Sequence, residues 1–303
     1  MVCGLGTALY LLDQIETPHP YVYSPETAAE RLLRVNEGAR WKAIHGYGAL
    51  CAETLELQEI GERGLALPVT DRKSFYDGAA HHQRDPLDDL AGRVDEIRRY
   101  IPANHHELFF DGLMKAIAFS EAEDPDLVMI HAEELEKLTR SENLFNGIRI
   151  GLQERFGDDM RRATDLAARY PDRVQPALFE ELGWRWGDEH ALEGAAWLEF
   201  AARIPEAGRC SFAEGMIRGR LLRAFAEDLT WWPEIAQFMK TIDTACHESC
   251  ISGIAEAVLI SATGSGDAAS AAIGRVDDEA VRTEVRAVVR RRIKGKARRA
   301  WQK

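Results

Sequence analysis

The densest set of potential metal ligands is the segment CHESC, from Cys246 to Cys250. The two cysteines are four residues apart, about one helical turn, so both sulfur atoms would lie on one side of a helix with His247 next to them. Thiolate and imidazole are ligands that Zn²⁺ prefers. The segment therefore indicates a metal site at Cys246, His247 and Cys250, although no second cysteine pair completes it. The alternative is that Cys250 is a small buried hydrophobic residue.

Two histidine pairs form the second candidate site, His81-His82 and His105-His106. Imidazole exchanges protons near neutral pH and ligates metals, so these four residues are predicted to bind a ligand or to take part in catalysis. The alternative is chance, because a chain with nine histidines contains such pairs without any function. Three more histidines are available: His45, His131 and His190.

An acidic run, DPLDDLAGRVDE, contains Asp85, Asp88, Asp89 and Asp95. Aspartates this close together can hold Mg²⁺ for diphosphate chemistry, and their spacing loosely resembles the aspartate-rich motif of terpene synthases. No clear second metal motif follows in the chain. The alternative is the start of a helix, where aspartates are stabilised by the helix dipole.

Charge is distributed unevenly along the chain. The formal net charge is −12, which argues against nucleic-acid binding by the main body of the protein. The last 22 residues carry ten Lys/Arg and one Glu, including Arg290, Arg291 and Arg292. This basic tail, with Trp301, could contact nucleic acid, acidic lipid or the acidic body of the chain itself, or simply be solvated.

Several functional classes lack their signatures in this sequence. There is no Gly-x-Ser-x-Gly elbow, Walker loop or dinucleotide fingerprint, so the cofactor is unknown and catalysis is left open. Five scattered cysteines give no disulfide framework, which predicts a reducing, cytoplasmic location. The opening MVCGLGTALYLL lacks a basic region and a cleavage site, and no apolar stretch is long enough to predict a membrane span.

The elements that position these residues are indicated by a repeat centred on HHELFFDGLMKA, at 105–116. Aligned copies share a central glycine, and the intervals between these glycines are 34, 35, 36, 32 and 38 residues. Most copies have an apolar residue three before the glycine and a small residue four after it. The glycines are Gly78, Gly112, Gly147, Gly183, Gly215 and Gly253. Gly46 and Gly48 indicate a degenerate earlier copy.

A glycine inside a helix costs about 1 kcal/mol relative to alanine, so its recurrence indicates a recurring benefit. Glycine and a second small residue one turn later would let a neighbouring helix approach closely. A further helix and a proline turn separate the glycine segments, giving two helices per repeat. We therefore predict an all-α solenoid of seven or eight two-helix repeats, similar in scale to tetratricopeptide or HEAT arrays. Its predicted domains are a repeat domain at 1–260, a linker at 261–274 and a basic helix or tail at 275–303.

Proline turns followed by an aromatic residue and a glycine recur in two clear copies. They comprise Ile101-Pro102 with Phe109-Phe110 and Gly112, and Tyr170-Pro171 with Leu178-Phe179 and Gly183. On these residues the repeat unit resembles a bacterial helical family of unknown function encoded beside enediyne polyketide synthases. The likeness covers 68–225, and the chain lacks that family's Gly-x-Gly-Leu-Ala consensus and its paired glycines. The resemblance implies a role in natural-product biosynthesis and transfers no functional residue.

Two functions follow from these observations. Solenoids present long curved surfaces, so the first is a binding or scaffold protein with a protein or a hydrophobic small molecule on its concave face. The second is an enzyme that acts on a hydrophobic or polyketide-like molecule in a pocket between helices. The enzyme hypothesis requires the two histidine pairs, or the aspartates of 85–95, to converge on one cavity.

Overall fold

The structure, a computed structural model, describes residues 37–83, 89–141, 144–156, 159–192, 194–262 and 266–301. Regular structure in these ranges consists of fifteen α-helices and two short 3₁₀ helices, without strands. The all-α prediction is therefore confirmed. The predicted elements before residue 37 lie outside the described ranges, as do Asp85 and Asp88.

The chain divides into two compact units, the first ending at Arg155 and the second beginning at Phe156. The described helices of the first unit are α1 (Glu37–Thr54), α2 (Leu57–Ala66), α3 (Val69–His81), α4 (Leu90–Tyr100), α5 (His106–Ser120), α6 (Pro125–Thr139) and α7 (Phe145–Phe156), whose last residue falls in the second unit.

The described helices of the second unit are α8 (Met160–Ala167), α9 (Gln175–Glu189), α10 (Gly194–Ala201), α11 (Glu206–Ala226), α12 (Trp232–Met239), α13 (His247–Ser261), α14 (Gly266–Gly274) and α15 (Glu279–Trp301). The sequence pattern predicts helices between the glycine segments at Asp126–Leu138, Met160–Arg169, Leu192–Ala202 and Trp232–Thr241. They correspond to α6, α8, α10 and α12, with ends that differ by at most two residues.

Helices that carry the repeat glycines pack side by side within each unit. In the first unit α3 lies between α1 and α5, while α4 lies between α2 and α6. In the second unit α11 lies between α9 and α13, and α13 also packs against α15. Along the described chain, helices that carry a repeat glycine, called glycine helices below, are separated by helices that carry none.

The repeat glycines lie where one helix touches the main chain of the next. A β-carbon on Gly112 would overlap the carbonyl oxygen of Ala80 on α3, and one on Gly215 would overlap that of Glu180 on α9. One on Gly253 would lie 2.6 Å from the carbonyl oxygen of Glu214 on α11. The close approach that the repeat predicts is therefore present, and the core aromatic residues Phe75, Phe109 and Phe212 pack beside these contacts.

Aspartates start three of the intervening helices. Asp89 accepts a hydrogen bond from the Gly92 amide at 2.8 Å, and Asp124 and Asp159 occupy the same position at the starts of α6 and α8. A side-chain oxygen here satisfies an amide that has no partner inside the helix. Asp89, one of the residues considered for Mg²⁺ binding, therefore has a structural role as a helix cap.

The C-terminal region differs from the sequence prediction in two ways. Residues 266–274, predicted as part of a linker, form helix α14, because their many alanines favour a helix more strongly than the glycines at its ends oppose it. The sequence pattern predicts a basic helix at Asp277–Ile293 followed by a frayed end, whereas the backbone of α15 is helical to Trp301.

Across the ranges that the structure describes, none of the helices combines the length and the apolar composition that crossing a bilayer requires.

Candidate functional site

In each unit, polar side chains on neighbouring helices form a row that runs across the helices. Most of them occupy the position just before a glycine or the position three after it, which are four residues apart and so on one helix face. Glu180, three residues before Gly183, and Arg292, on α15, extend the second row from other positions. The first polar row comprises His45, Asp77, His81, Asp111, Lys115 and Asn146. The second polar row comprises Glu180, Glu214, Arg218, Ser252, Glu256 and Arg292. Because glycine brings adjacent helices together, side chains of one row meet across the helix contacts.

His45, Asp77 and His81 form a cluster at one end of the first polar row. The Nε2 atom of His45 lies 3.4 Å from Oδ2 of Asp77, and the rings of His45 and His81 are 6.1 Å apart. Each residue offers one potential ligand atom, and the three atoms lie within 4.8 Å of one another. His45 is only 8% exposed. The cluster is therefore a half-enclosed set of two imidazoles and one carboxylate.

Lys115 brings a buried cation next to this cluster. Its ammonium group donates a 2.5 Å hydrogen bond to the carbonyl oxygen of His81 and lies 2.9 Å from a carboxylate oxygen of Glu154. A lysine is almost never fully buried without a partner, and here Glu154 supplies the opposite charge. The pair joins α5 to α7, and the bond to His81 joins α5 to α3.

Burial lowers the pKa values of two neighbouring histidines at the end of α3, His81 and His82. Burial lowers the pKa of His82 to about 4, and the charge of Lys115 acts in the same direction. Burial also lowers the pKa of His81, with a smaller opposing effect of Asp77. Burial alone would raise the pKa of Asp77, but the interactions with His45 and His81 outweigh it, and the pKa falls below its usual value. At neutral pH these shifts favour an uncharged imidazole at His81 and an ionised carboxylate at Asp77.

Asp111 is the most perturbed carboxyl group of the first polar row. Burial raises its pKa to about 6, and the nearby Glu107 acts in the same direction. Its Oδ2 accepts a 3.2 Å hydrogen bond from Asn146 across the α5–α7 contact. Its Oδ1 is buried and accepts no hydrogen bond from the residues that the structure describes, and the same holds for Oε1 of Gln83. These two oxygens are unused acceptors.

We expect Asp111→Asn to stabilise the protein at neutral pH but not in acid. A pKa raised by folding means that the protonated carboxyl group is favoured in the folded state. The protonated Asp111 therefore contributes its full stabilisation of the folded state below about pH 4, and this contribution is lost as the pH rises through about 6. Asparagine stays neutral throughout, so urea unfolding should show a gain of about 1–2 kcal/mol at pH 7.5 and no gain at pH 4. Asp95→Asn, at an exposed position, is the matched control, and an equal gain at both pH values would contradict the prediction.

The second polar row is an ion-pair network. Arg218 contacts the carboxylate of Glu180 and lies 3.6 Å from that of Glu256. Ser252 donates a 2.5 Å hydrogen bond to Glu214. The three carboxylates have ligand atoms close enough to share a cation. The guanidinium group of Arg218 already supplies a positive charge to two of these carboxylates, those of Glu180 and Glu256.

Arg292 of the predicted basic tail supplies the other cation of this network. It donates to Glu256 at 2.9 Å and to the hydroxyl of Ser252 at 2.6 Å. Arg290 and Arg291 are exposed. The tail therefore contacts the acidic body of the chain through Arg292, one of the options that its charge allows.

Comparison of the chain with family models, with curated proteins and with solved structures gives no match. The likeness to the family encoded beside enediyne polyketide synthases therefore stays a prediction.

The two predicted histidine pairs have different surroundings. His105 is buried with its ring 4.5 Å from that of Tyr76, and burial lowers its pKa. His106 bonds through Nε2 to the carbonyl oxygen of Ile101 at 2.8 Å. His106 thus holds the start of α5 onto the preceding turn, and His105 packs the same region against α3. His81, in contrast, faces His45 and lies in the first polar row.

The predicted metal site at Cys246, His247 and Cys250 is corrected by the structure. Cys246 forms a disulfide with Cys210 on α11, so it has no thiolate to offer a metal. His247 bonds to the carbonyl oxygen of Met239 at 3.1 Å. Cys250 is buried in the core, which raises the pKa of its thiol and favours the inert, protonated form. The expectation of no disulfide is corrected as well, and the predicted reducing location loses that support.

Of the first polar row, the sequence predicts a functional role only for His81. It offers His45 as an available histidine, and it assigns no role to the other members of the row. A signal was present in the repeat itself. The residue before the glycine is polar in five of six copies, and the exception is Leu182. A repeat position that faces the core would be apolar in most copies, so this pattern indicates a polar face that the copies share.

Proposed function

We propose that the protein is a solenoid-type helical-repeat binding protein, with its ligand on the face formed by the first polar row. Support comes from the side-by-side packing of glycine helices within each unit, which lines up equivalent positions of successive repeats. The solenoid geometry, the concave position of this face and a cytoplasmic location are part of the proposal.

The observation that carries this proposal is a difference between the two rows. In the second row, Arg218 and Arg292 pair with the surrounding carboxylates. In the first row, Asp111 retains a buried oxygen that accepts no hydrogen bond from the described residues. Gln83, whose side-chain amide packs beside Gly112, has another. A buried acceptor that lacks a partner costs about 1–3 kcal/mol. A ligand with N–H or O–H donors would remove that cost, so this row is suited to bind one.

Native mass spectrometry of the full chain tests the proposal. After exposure to a small-molecule cell extract, the wild-type protein should carry the added mass of an organic molecule, larger than that of a metal ion, and denaturation should release it. Asp111→Ala removes the unpaired acceptor and should abolish the added mass. Asp95→Ala changes an exposed aspartate outside the row and should retain it. A wild-type protein that carries no added mass, or an Asp111→Ala variant that keeps it, would contradict the proposal.

An enzyme that acts on a small molecule between the helices is the second candidate. The raised pKa of Asp111 and the lowered pKa of His82 favour it, because groups with shifted pKa values concentrate at catalytic sites. The enzyme hypothesis requires the two histidine pairs to converge, and the different surroundings of His81 and His105 give it less support. Conversion of the bound molecule over time in the same spectrometry experiment, lost in Asp111→Asn, would favour the enzyme. A bound mass that never changes would favour the binding protein.

A further inference from the structure

Three potential metal ligands converge between α1 and α3. His45 comes from α1, and Asp77 and His81 come from consecutive turns of α3. One atom of each lies within 4.8 Å of the corresponding atoms of the other two. A spacing of four residues places Asp77 and His81 on one helix face, and this face is turned towards His45.

The distance between His45 and Asp77 matches shared ligation better than a direct hydrogen bond. Nε2 and Oδ2 are 3.4 Å apart, whereas a charge-assisted N–H···O bond is about 2.7–2.9 Å long. Two atoms bound tetrahedrally to one Zn²⁺, each at about 2.1 Å, lie roughly 3.4 Å from each other. The observed separation is therefore compatible with two ligands of one ion.

Glycine contacts fix the backbone on both sides of the cluster. Gly78, next to Asp77, lies directly against the carbonyl oxygen of His45, and Gly48 on α1 lies against that of Phe75. Neither helix can slide without a clash at these contacts. The main chain that carries the three ligands is therefore held in place before any ion binds, which lowers the cost of ordering the site.

We propose that His45, Asp77 and His81 bind a first-row divalent metal ion of the Zn²⁺, Fe²⁺ or Co²⁺ class. Two imidazoles and one carboxylate suit these ions, whereas Ca²⁺ and Mg²⁺ prefer oxygen ligands alone. Three protein ligands leave at least one coordination position open, as in sites that bind an exogenous molecule rather than in purely structural sites.

The charges around the cluster are compatible with a bound cation. Asp77 supplies the negative charge, while the nearby Lys115 ammonium group is paired with Glu154 at 2.9 Å. His82, the next residue along, lies 3.6 Å from a carboxylate oxygen of Glu53. The carboxylate cluster of the second polar row differs, because two arginines already pair with it. Only the histidine cluster is therefore proposed as a metal site.

This proposal goes beyond the proposed ligand binding and does not depend on it, because it concerns a metal ion and different residues from Asp111. The two can therefore fail separately. Loss of the organic ligand in Asp111→Ala leaves metal binding untouched, and absence of metal binding leaves the organic ligand untouched.

Metal titration of chelator-treated, full-length protein tests the site. Calorimetry with Zn²⁺ should give one equivalent per chain, and Co²⁺ should produce visible d–d bands without a thiolate charge-transfer band. His81→Gln and Asp77→Asn each remove one ligand and should weaken binding by at least about 100-fold. His106→Gln, a histidine outside the cluster, is the matched control and should bind as the wild type does.

Circular dichroism establishes that each variant is folded before titration. If His81→Gln does not fold, Asp77→Asn still decides, because it preserves the shape of the side chain. Wild-type protein that binds neither ion in the micromolar range would overturn the proposal. So would unchanged affinity in Asp77→Asn, or a Co²⁺ spectrum with a thiolate charge-transfer band, since either places the metal elsewhere.

Discussion

Gly112→Ala is expected to lower the free energy of unfolding by about 3 kcal/mol, at the upper end of the range for overpacked sites. The added methyl group would overlap the carbonyl oxygen of Ala80, a main-chain atom that cannot move by changing a rotamer. Helices α3 and α5 would have to separate, which would disturb Phe109 and the Lys115 hydrogen bond to His81. The roughly 1 kcal/mol by which alanine favours a helix over glycine is too small to offset this.

Urea denaturation followed by circular dichroism measures the effect. Gly274→Ala, at the end of α14, is the matched control, because a β-carbon there meets no atom of the described residues within 4 Å. It should leave stability within about 0.5 kcal/mol of the wild type or raise it slightly. Equal stabilities of Gly112→Ala and Gly274→Ala would show that the repeat glycines do not hold the helices together.

The glycine helices could be predicted from sequence because the physical constraint is local and recurs. Close packing at Gly112, Gly183 and Gly215 excludes any side chain, and an excluded side chain leaves a visible trace at a fixed interval. Helix ends were predictable for a similar reason, since Pro102, Pro171 and Pro205 interrupt helices at known positions. The linker prediction was wrong because SATGSGDAASAAIG has a composition shared by loops and alanine-rich helices.

The His45–Asp77–His81 cluster could not be predicted in the same way. His45 lies 32 residues before Asp77, and the register between α1 and α3 decides which side chains meet. That register depends on which glycine of the first copy, Gly46 or Gly48, forms the contact. In the structure Gly48 lies against α3, and the ring of His45 then faces Asp77. One residue of slip would place a different side chain there.

The Cys210–Cys246 disulfide was missed for a related reason. Five scattered cysteines allow many pairings, and their number favoured free thiols. The pairing becomes understandable once α11 and α13 are neighbours, since both cysteines precede the repeat glycines of adjacent helices. Their separation is 36 residues, about one repeat. Repeat register thus explains both the polar cluster and the disulfide, although neither is visible before the register is known.

Removing this disulfide is expected to cost the second unit about 3–4 kcal/mol of stability. The bond closes a stretch of 36 residues that contains α12, and cross-linking such a stretch restricts the unfolded chain. The double variant Cys210→Ala/Cys246→Ala should therefore unfold at a lower urea concentration than the oxidised wild-type protein. Counting thiols under denaturing conditions should give two more thiols in the wild type after reduction than before.

The reductant provides the control for this experiment. Treating the wild-type protein with it should lower stability to that of the double variant, whereas the double variant should be unaffected because it has no such bond to lose. Two alanines also remove buried sulfur contacts, and this comparison separates that loss from the loss of the cross-link. A reduced wild-type protein as stable as the oxidised one would mean that contacts between α11 and α13, including Gly253 against Glu214, hold this region without the covalent bond.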